Sequence, residues 1–216
     1  MSQESNRMGK LILVPAVITL AVTLLRLVGE LQGWSEGLFN RSAGGGGALV
    51  GIAWLVPVFG AWFGWKLARA GSGAALGRAL GLMLLALVLL PALGYLAGKA
   101  GIPEQSLTTL GIYVAGAIAA VLIGLRAWPA LGRVLFAYGL AARIPVVLVM
   151  LAAILGNWGT HYDVMPPGAP AMEGLTKWFM IGVVPQLTIW MAFTVVIGGL
   201  FGIAAAAIAR RRPAAA

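Results

Sequence analysis

Residues 134–155 read VLFAYGLAARIPVVLVMLAAIL, and the reading of this stretch decides the fold class. It carries a single charge, Arg143, and no alternation of polar with apolar positions. About 20 mainly apolar residues are what an α-helix needs to cross a hydrocarbon layer about 30 Å thick. A membrane strand would alternate with period 2, which this run does not. Five further runs of the same kind lie at about 11–31, 48–65, 80–96, 107–125 and 178–208. The breaks between them carry turn chemistry: Gly44-Gly45-Gly46-Gly47, Gly71-Ser72-Gly73, residues 98–103, Trp128-Pro129 and residues 157–176. The chain therefore reads as an all-α polytopic membrane protein: one domain over residues 1–216 with six transmembrane helices, several of them proline-bent. Composition agrees, with 61% hydrophobic and 10% charged residues, against about 45–50% and about 25% in soluble domains.

The first run follows Arg7 and Lys10 and continues through Arg26 to Glu30 without a small-residue cleavage site, so it reads as an uncleaved span rather than a signal peptide. Charge then orients the spans. Alternate connections hold Arg7 and Lys10; Lys66, Arg69 and Arg78; Arg126 and Arg133; and Arg210, Arg211 and Arg212. The opposite connections hold only Arg41, Lys99 and Lys177 as bases, with most of the acids. Ten bases against three predict both termini on the cytoplasmic side of an inner membrane. Anionic headgroups then account for the net charge of +9. Nucleic acid is a poorer partner, because no basic stripe is interleaved with stacking aromatics. Trp34, Trp158 and Trp178 fall near the outer interface, and Trp62, Trp65 and Trp128 near the inner one, where tryptophan anchors helices. Trp54 and Trp190 sit deeper, where packing is their expected role.

Missing residue types narrow the chemistry. With no cysteine, disulfides, iron–sulfur clusters and thiolate metal sites are excluded. One histidine, His161, is too few for bis-His haem or a histidine-rich metal centre. The six acids, Glu4, Glu30, Glu36, Glu104, Asp163 and Glu173, lie outside the interiors of the apolar runs, which disfavours a buried carboxylate proton relay. Every serine falls in a tail or a loop, away from any base at membrane depth. A non-enzymatic protein without a cofactor is the expectation.

Arg143 is the residue least expected where it stands. It lies ten positions in from Arg133, roughly 15 Å at about 1.5 Å per residue and hence near the bilayer centre. Arginine keeps its charge in proteins, and placing it there costs at least about 2.5–3.5 kcal/mol. No acid shares its depth; the amide oxygen of Gln186, counted inward from Lys177, does. Freed backbone carbonyls are the other candidate partners. Pro57, Pro91, Pro145 and Pro185 each fall within a span as hinges, and would unpair the carbonyls of Ala53, Leu87, Ala141 and Ile181. Their placement in the second and third span of each half suggests an inverted repeat, the arrangement that marks transporter binding sites. Arg143 fits two roles: capping bent-helix carbonyls, or binding an anionic group.

Arg26 and Glu30, four apart on one helix face, are expected to pair near the outer end of the first span. In the connection GNWGTHYDVMPPGAP, residues 156–170, His161 and Asp163 would face the same way on extended chain. A carboxylate beside the imidazole would raise its basicity. The segment reads as an ordered lid or a ligand-contact loop. Glycines spaced at four (Gly60/Gly64, Gly73/Gly77/Gly81, Gly198/Gly202) predict close helix pairs among the second, third and sixth spans, or faces for oligomerisation. The expected function is to bind or transport a small anionic solute at Arg143 and Gln186, with Arg26, Glu30, His161 and Asp163 as further ligand contacts. The competing expectation is a non-catalytic assembly subunit docking membrane partners, or a second copy, through its glycine faces. A polar cavity reaching Arg143 would favour the first, a dry packed core the second.

Overall fold

A computed structural model describes residues 2–211 of the chain. The principal helices are α1 (Ser2–Leu31), α2 (Leu55–Arg69), α3 (Leu76–Lys99), α4 (Leu107–Ala127) and α5 (Pro129–Gly156). The last apolar run is split into α6 (Gly174–Lys177), a π-helical turn (Trp178–Val183), α7 (Val184–Leu187) and α8 (Ile189–Arg211). Among the described residues there is no strand. Five segments are long and apolar enough to cross a membrane: Met8–Leu31, Leu76–Lys99, Leu107–Ala127, Pro129–Gly156 and Gly174–Arg210.

Burial on α1 has the polarity of a protein solvated by hydrocarbon. Its buried stripe is Pro15, Thr19, Thr23, Arg26, Gly29 and Glu30, at the helical spacing of three and four. Its outer face carries Leu13, Val14, Val17, Ile18 and Leu24, each at least 40% exposed. In water this helix would be inside out; in lipid it is correctly disposed, polar groups inward and aliphatic groups outward. The buried hydroxyls are satisfied: Thr19 donates to the Pro15 carbonyl (2.8 Å) and Thr23 to that of Thr19 (2.9 Å).

The second expected span differs from its sequence reading. Only Leu55–Arg69 is helical, 15 residues, about 22 Å at the α-helical rise. Residues 48–54 are irregular, following a single 3₁₀ turn at Ala43–Gly45. The cause is the glycine run 44–47 with Gly51, since glycine adds backbone freedom that a helix must remove. Leu49 and Val50 instead donate to the carbonyls of Gly37 and Leu38. Pro57 therefore lies in the first turn of α2, where a missing N–H costs nothing, and is no mid-span hinge. The Ala53 carbonyl, expected to be free, accepts from Val56. Because Pro57 opens its helix and Pro145 lies deep inside α5, the two are not equivalently placed, which weakens the proline pattern behind the inverted repeat. Pro91 and Pro145 are inside continuous helices, as is Pro15. At Pro185 the helix is interrupted: the π turn precedes it, and Thr188 leaves helical geometry (φ −124°, ψ −77°).

α2 and α8 pack backbone to backbone. A Cβ on Gly60 would enter the space of the Gly198 backbone, and one on Gly64 that of Gly202. These two glycine faces are filled by each other within the chain. Gly77 and Gly81 of α3 meet nothing within 4 Å, contrary to the close packing expected of them. Beside this seam Tyr138 is buried between Phe59 and Phe63 in edge-on contacts (centroids 5.6 and 5.5 Å) and shares a hydrogen bond with Thr19 (2.8 Å). Trp128 is 1% exposed in the same core, so it does not anchor an interface. Gly64→Val is expected to cost about 3 kcal/mol, the upper end of overpacking penalties, because backbone rather than a side chain stands in the way. Thermal unfolding in detergent, with Gly77→Val as the neutral control, checks this.

Candidate functional site

A cavity of about 900 Å³ runs from beneath the 157–173 connection to the middle of α5. Its walls come from α1, the irregular segment 48–54, α5, the 157–173 connection and the interrupted last span. π turns of the kind preceding Pro185 recur at functional sites.

Arg143 stands at one end. It is 14 residues from Pro129 and 13 from Gly156, the centre of its helix and roughly 20 Å from either end. It is 3% exposed. Nη1 donates to Gln186 Oε1 at 3.3 Å, and the guanidinium lies 4.7 Å from the Trp190 ring centroid. Gln186 and Trp190, four residues apart on either side of Thr188, both meet this guanidinium. Arg143 forms no ion pair among the described residues, and its Nε is buried without an acceptor. Trp190 thus contacts a cation rather than only packing, a role its depth in the sequence did not reveal. Trp54, also expected to pack, is 53% exposed at the cavity wall.

At the other end the structure assembles a three-residue network. Arg26 Nε donates to Glu30 Oε1 (2.8 Å), and its Nη2 donates to the Asn40 carbonyl (2.9 Å). The backbone N–H of His161 donates to Glu30 Oε2 (2.8 Å), and its Nδ1 lies 2.5 Å from Oε1. Arg41 closes the cluster by donating to the Glu30 carbonyl. Gly45 is required here: its φ is +72°, and a Cβ on it would stand 2.9 Å from the His161 ring. A Cβ on Gly51 would stand 3.2 Å from Arg26 Nη1, a tight approach to the end of a long side chain. Tyr162 docks the same connection onto α1 by donating to the Thr23 carbonyl (3.2 Å). Burial pushes its phenol above the usual value.

Two sequence expectations are corrected. The carboxylate hydrogen-bonded to His161 is Glu30, 131 residues away, while Asp163 acts on the imidazole only through its charge. Asp163 instead closes its own turn, accepting from Gly159 N (2.9 Å), Thr160 N (2.7 Å) and Thr160 Oγ1 (2.7 Å). The chain turns there instead of extending, which defeats the two-residue rule. Neither Asp163 nor Glu30 lines the cavity, whereas Arg26, His161, Arg143 and Gln186 do. Nor is the imidazole made more basic. Burial pushes His161 below its usual value; the bond to Glu30 opposes this, and the Arg26 charge adds to it.

The sign of the resulting pH effect follows. Below the ordinary imidazole value of 6.5 the unfolded chain binds a proton that the folded chain resists. Stability contributed by His161 is therefore present above that pH and declines as pH falls through it. The unfolding midpoint in detergent is expected to drop between about pH 7.5 and 5.5. His161→Gln, which keeps an N–H for Glu30, should flatten that dependence.

Comparison with protein-family models, with curated proteins and with solved structures finds no match, so the site rests on its own geometry.

Proposed function

We propose that this chain is a multi-pass protein of a bacterial-type inner membrane that binds a small anionic solute at Arg143 and Gln186 and moves it through the cavity above them. The observation that carries this reading is a guanidinium at the centre of α5 on a cavity wall, with one hydrogen-bond acceptor and no counter-charge among the described residues. An isolated charge at that depth is unfavourable by several kcal/mol unless something offsets it, and a bound anion does so. In this reading α2 and the irregular segment 48–54 together form a sixth crossing, which returns the C-terminus to the cytoplasmic side with the N-terminus. Cytoplasmic ends agree with the ten-to-three distribution of basic residues. The cavity then opens away from the cytoplasm, beneath the connection held by Glu30 and His161. Pro185 and the adjacent π turn supply the hinge about which the lower half of the last span would move. The alternative of a non-catalytic assembly subunit has less support, because the α2 and α8 glycine faces are already filled and only that of Gly77 and Gly81 on α3 is open.

The test is a thermal-shift screen of the purified protein against small carboxylates, phosphate, sulfate and chloride, followed by uptake of the hits into proteoliposomes. At least one anion should raise the unfolding midpoint and be taken up, while the matched cations do neither. A flat response to every anion, or an equal response to cations, refutes the assignment.

A further inference from the structure

The cavity is far larger than an inorganic anion requires: about 900 Å³ is the size of sites that enclose drug-sized organic molecules. Its wall is largely apolar, with Val146 and Met150 from α5, Met180 and Ile181 from the π turn, and Trp190 beside the guanidinium. Charge is confined to the two ends, and only one end is uncompensated. Arg26 is paired with Glu30, whereas Arg143 is paired with no acid among the described residues. The cavity therefore presents one net positive charge at its deep end, next to an aliphatic and aromatic wall. Its rim is apolar too. Leu25, Leu49 and Trp54 line it yet remain 46%, 72% and 53% exposed. Leu25 belongs to the helix face already seen to be aliphatic and outward, so this rim continues the lipid-facing surface of α1.

We propose that the occupant is a monoanionic amphiphile, with a carboxylate head on Arg143 and Gln186 and a hydrocarbon body along the Met150–Ile181–Trp54 wall, entering past the apolar rim from the bilayer. The proposal rests on the anion-binding reading above and names its substrate class. A carboxylate matches the charge of one guanidinium and brings it two acceptors, against the single amide oxygen it has. A phosphate monoester would carry a second charge into hydrocarbon without a partner. The body is recognised by burial alone, so affinity should follow chain length.

The experiment is a binding series in zwitterionic-lipid nanodiscs, where partitioning into lipid is common to all variants. Unbranched carboxylates from butyrate to dodecanoate are titrated, with dodecyl phosphate, dodecyltrimethylammonium and chloride as comparators. Affinity, referred to the free aqueous ligand after correction for its partitioning into the lipid, should rise about fourfold for each added methylene until the cavity is full. Arg143→Met should weaken every carboxylate by about tenfold or more. Trp54→Ala, a truncation of an exposed side chain that folding tolerates, should weaken dodecanoate several-fold and leave butyrate unchanged. Butyrate or chloride binding as tightly as dodecanoate overturns the amphiphile while leaving the anion site intact. Tighter binding of dodecyl phosphate overturns the carboxylate head. Equal binding of dodecyltrimethylammonium, or no binding at all, overturns both the amphiphile and the anion site. If Arg143→Met does not fold, the chain-length series and Trp54→Ala decide the matter.

Discussion

Glu30→Ala is expected to remove about 3–5 kcal/mol, the range for deleting one partner of a buried ion pair. The Glu30 side chain is 0% exposed and that of Arg26 8%. Truncation would leave the Arg26 guanidinium with one backbone acceptor, Asn40, and the His161 N–H and Nδ1 without their partner. Three elements depend on that one carboxylate: the end of α1, the glycine-rich segment 40–51 resting against Arg26, and the connection carrying His161. Glu30→Gln keeps an acceptor for Arg26 and should lose roughly half as much, since hydrogen bonds to charged groups contribute about 1.5–3 kcal/mol. Equilibrium unfolding in mixed micelles measures both. A loss below about 1 kcal/mol for Glu30→Ala would place this pair with solvated surface pairs and would leave the outer connection without its anchor.

The second large effect has the opposite character. Arg143→Met is expected to leave stability within about 1 kcal/mol of the parent while weakening anion binding by about tenfold or more. Removing the charge recovers about 2.5–3.5 kcal/mol of insertion penalty. Against this stand Gln186, left without its donor at about 1–3 kcal/mol, and the contact with Trp190, roughly 0.5–2 kcal/mol. The opposing terms nearly cancel, and methionine fills irregular space without strain. A residue whose removal does not weaken the fold but sharply weakens binding is kept for the ligand. The contrast with Glu30 is informative: one buried ionic residue holds the fold together, the other is held by it.

How much of this was legible in the sequence differs by element. The five long apolar runs were plain from length and composition, because lipid solvation leaves almost no other way to satisfy a backbone. Arg143 stood out for the same reason, and helix rise alone put Gln186 at its depth. The shortened α2 was not legible. Hydropathy counts side chains, and residues 48–54 are apolar, yet Gly44–Gly47 and Gly51 set the backbone. The pairing of Glu30 with His161 spans 131 residues, beyond the reach of any local rule, so Asp163 was the only partner the spacing offered. One available signal went unread: Thr19, Thr23, Arg26 and Glu30 recur at helical spacing, and a polar stripe on an otherwise aliphatic span marks the face that turns inward. Trp190 gave no signal, since an aromatic side chain in a span is ordinarily packing.

The most direct measurement is a pair of binding isotherms, parent and Arg143→Met, in nanodiscs, with the tightest-binding anion of the screen as ligand and with both proteins shown to unfold at comparable temperatures. The site described here predicts saturable binding by the parent and an affinity at least about tenfold lower in the variant. Equal affinities in two equally folded proteins would contradict it.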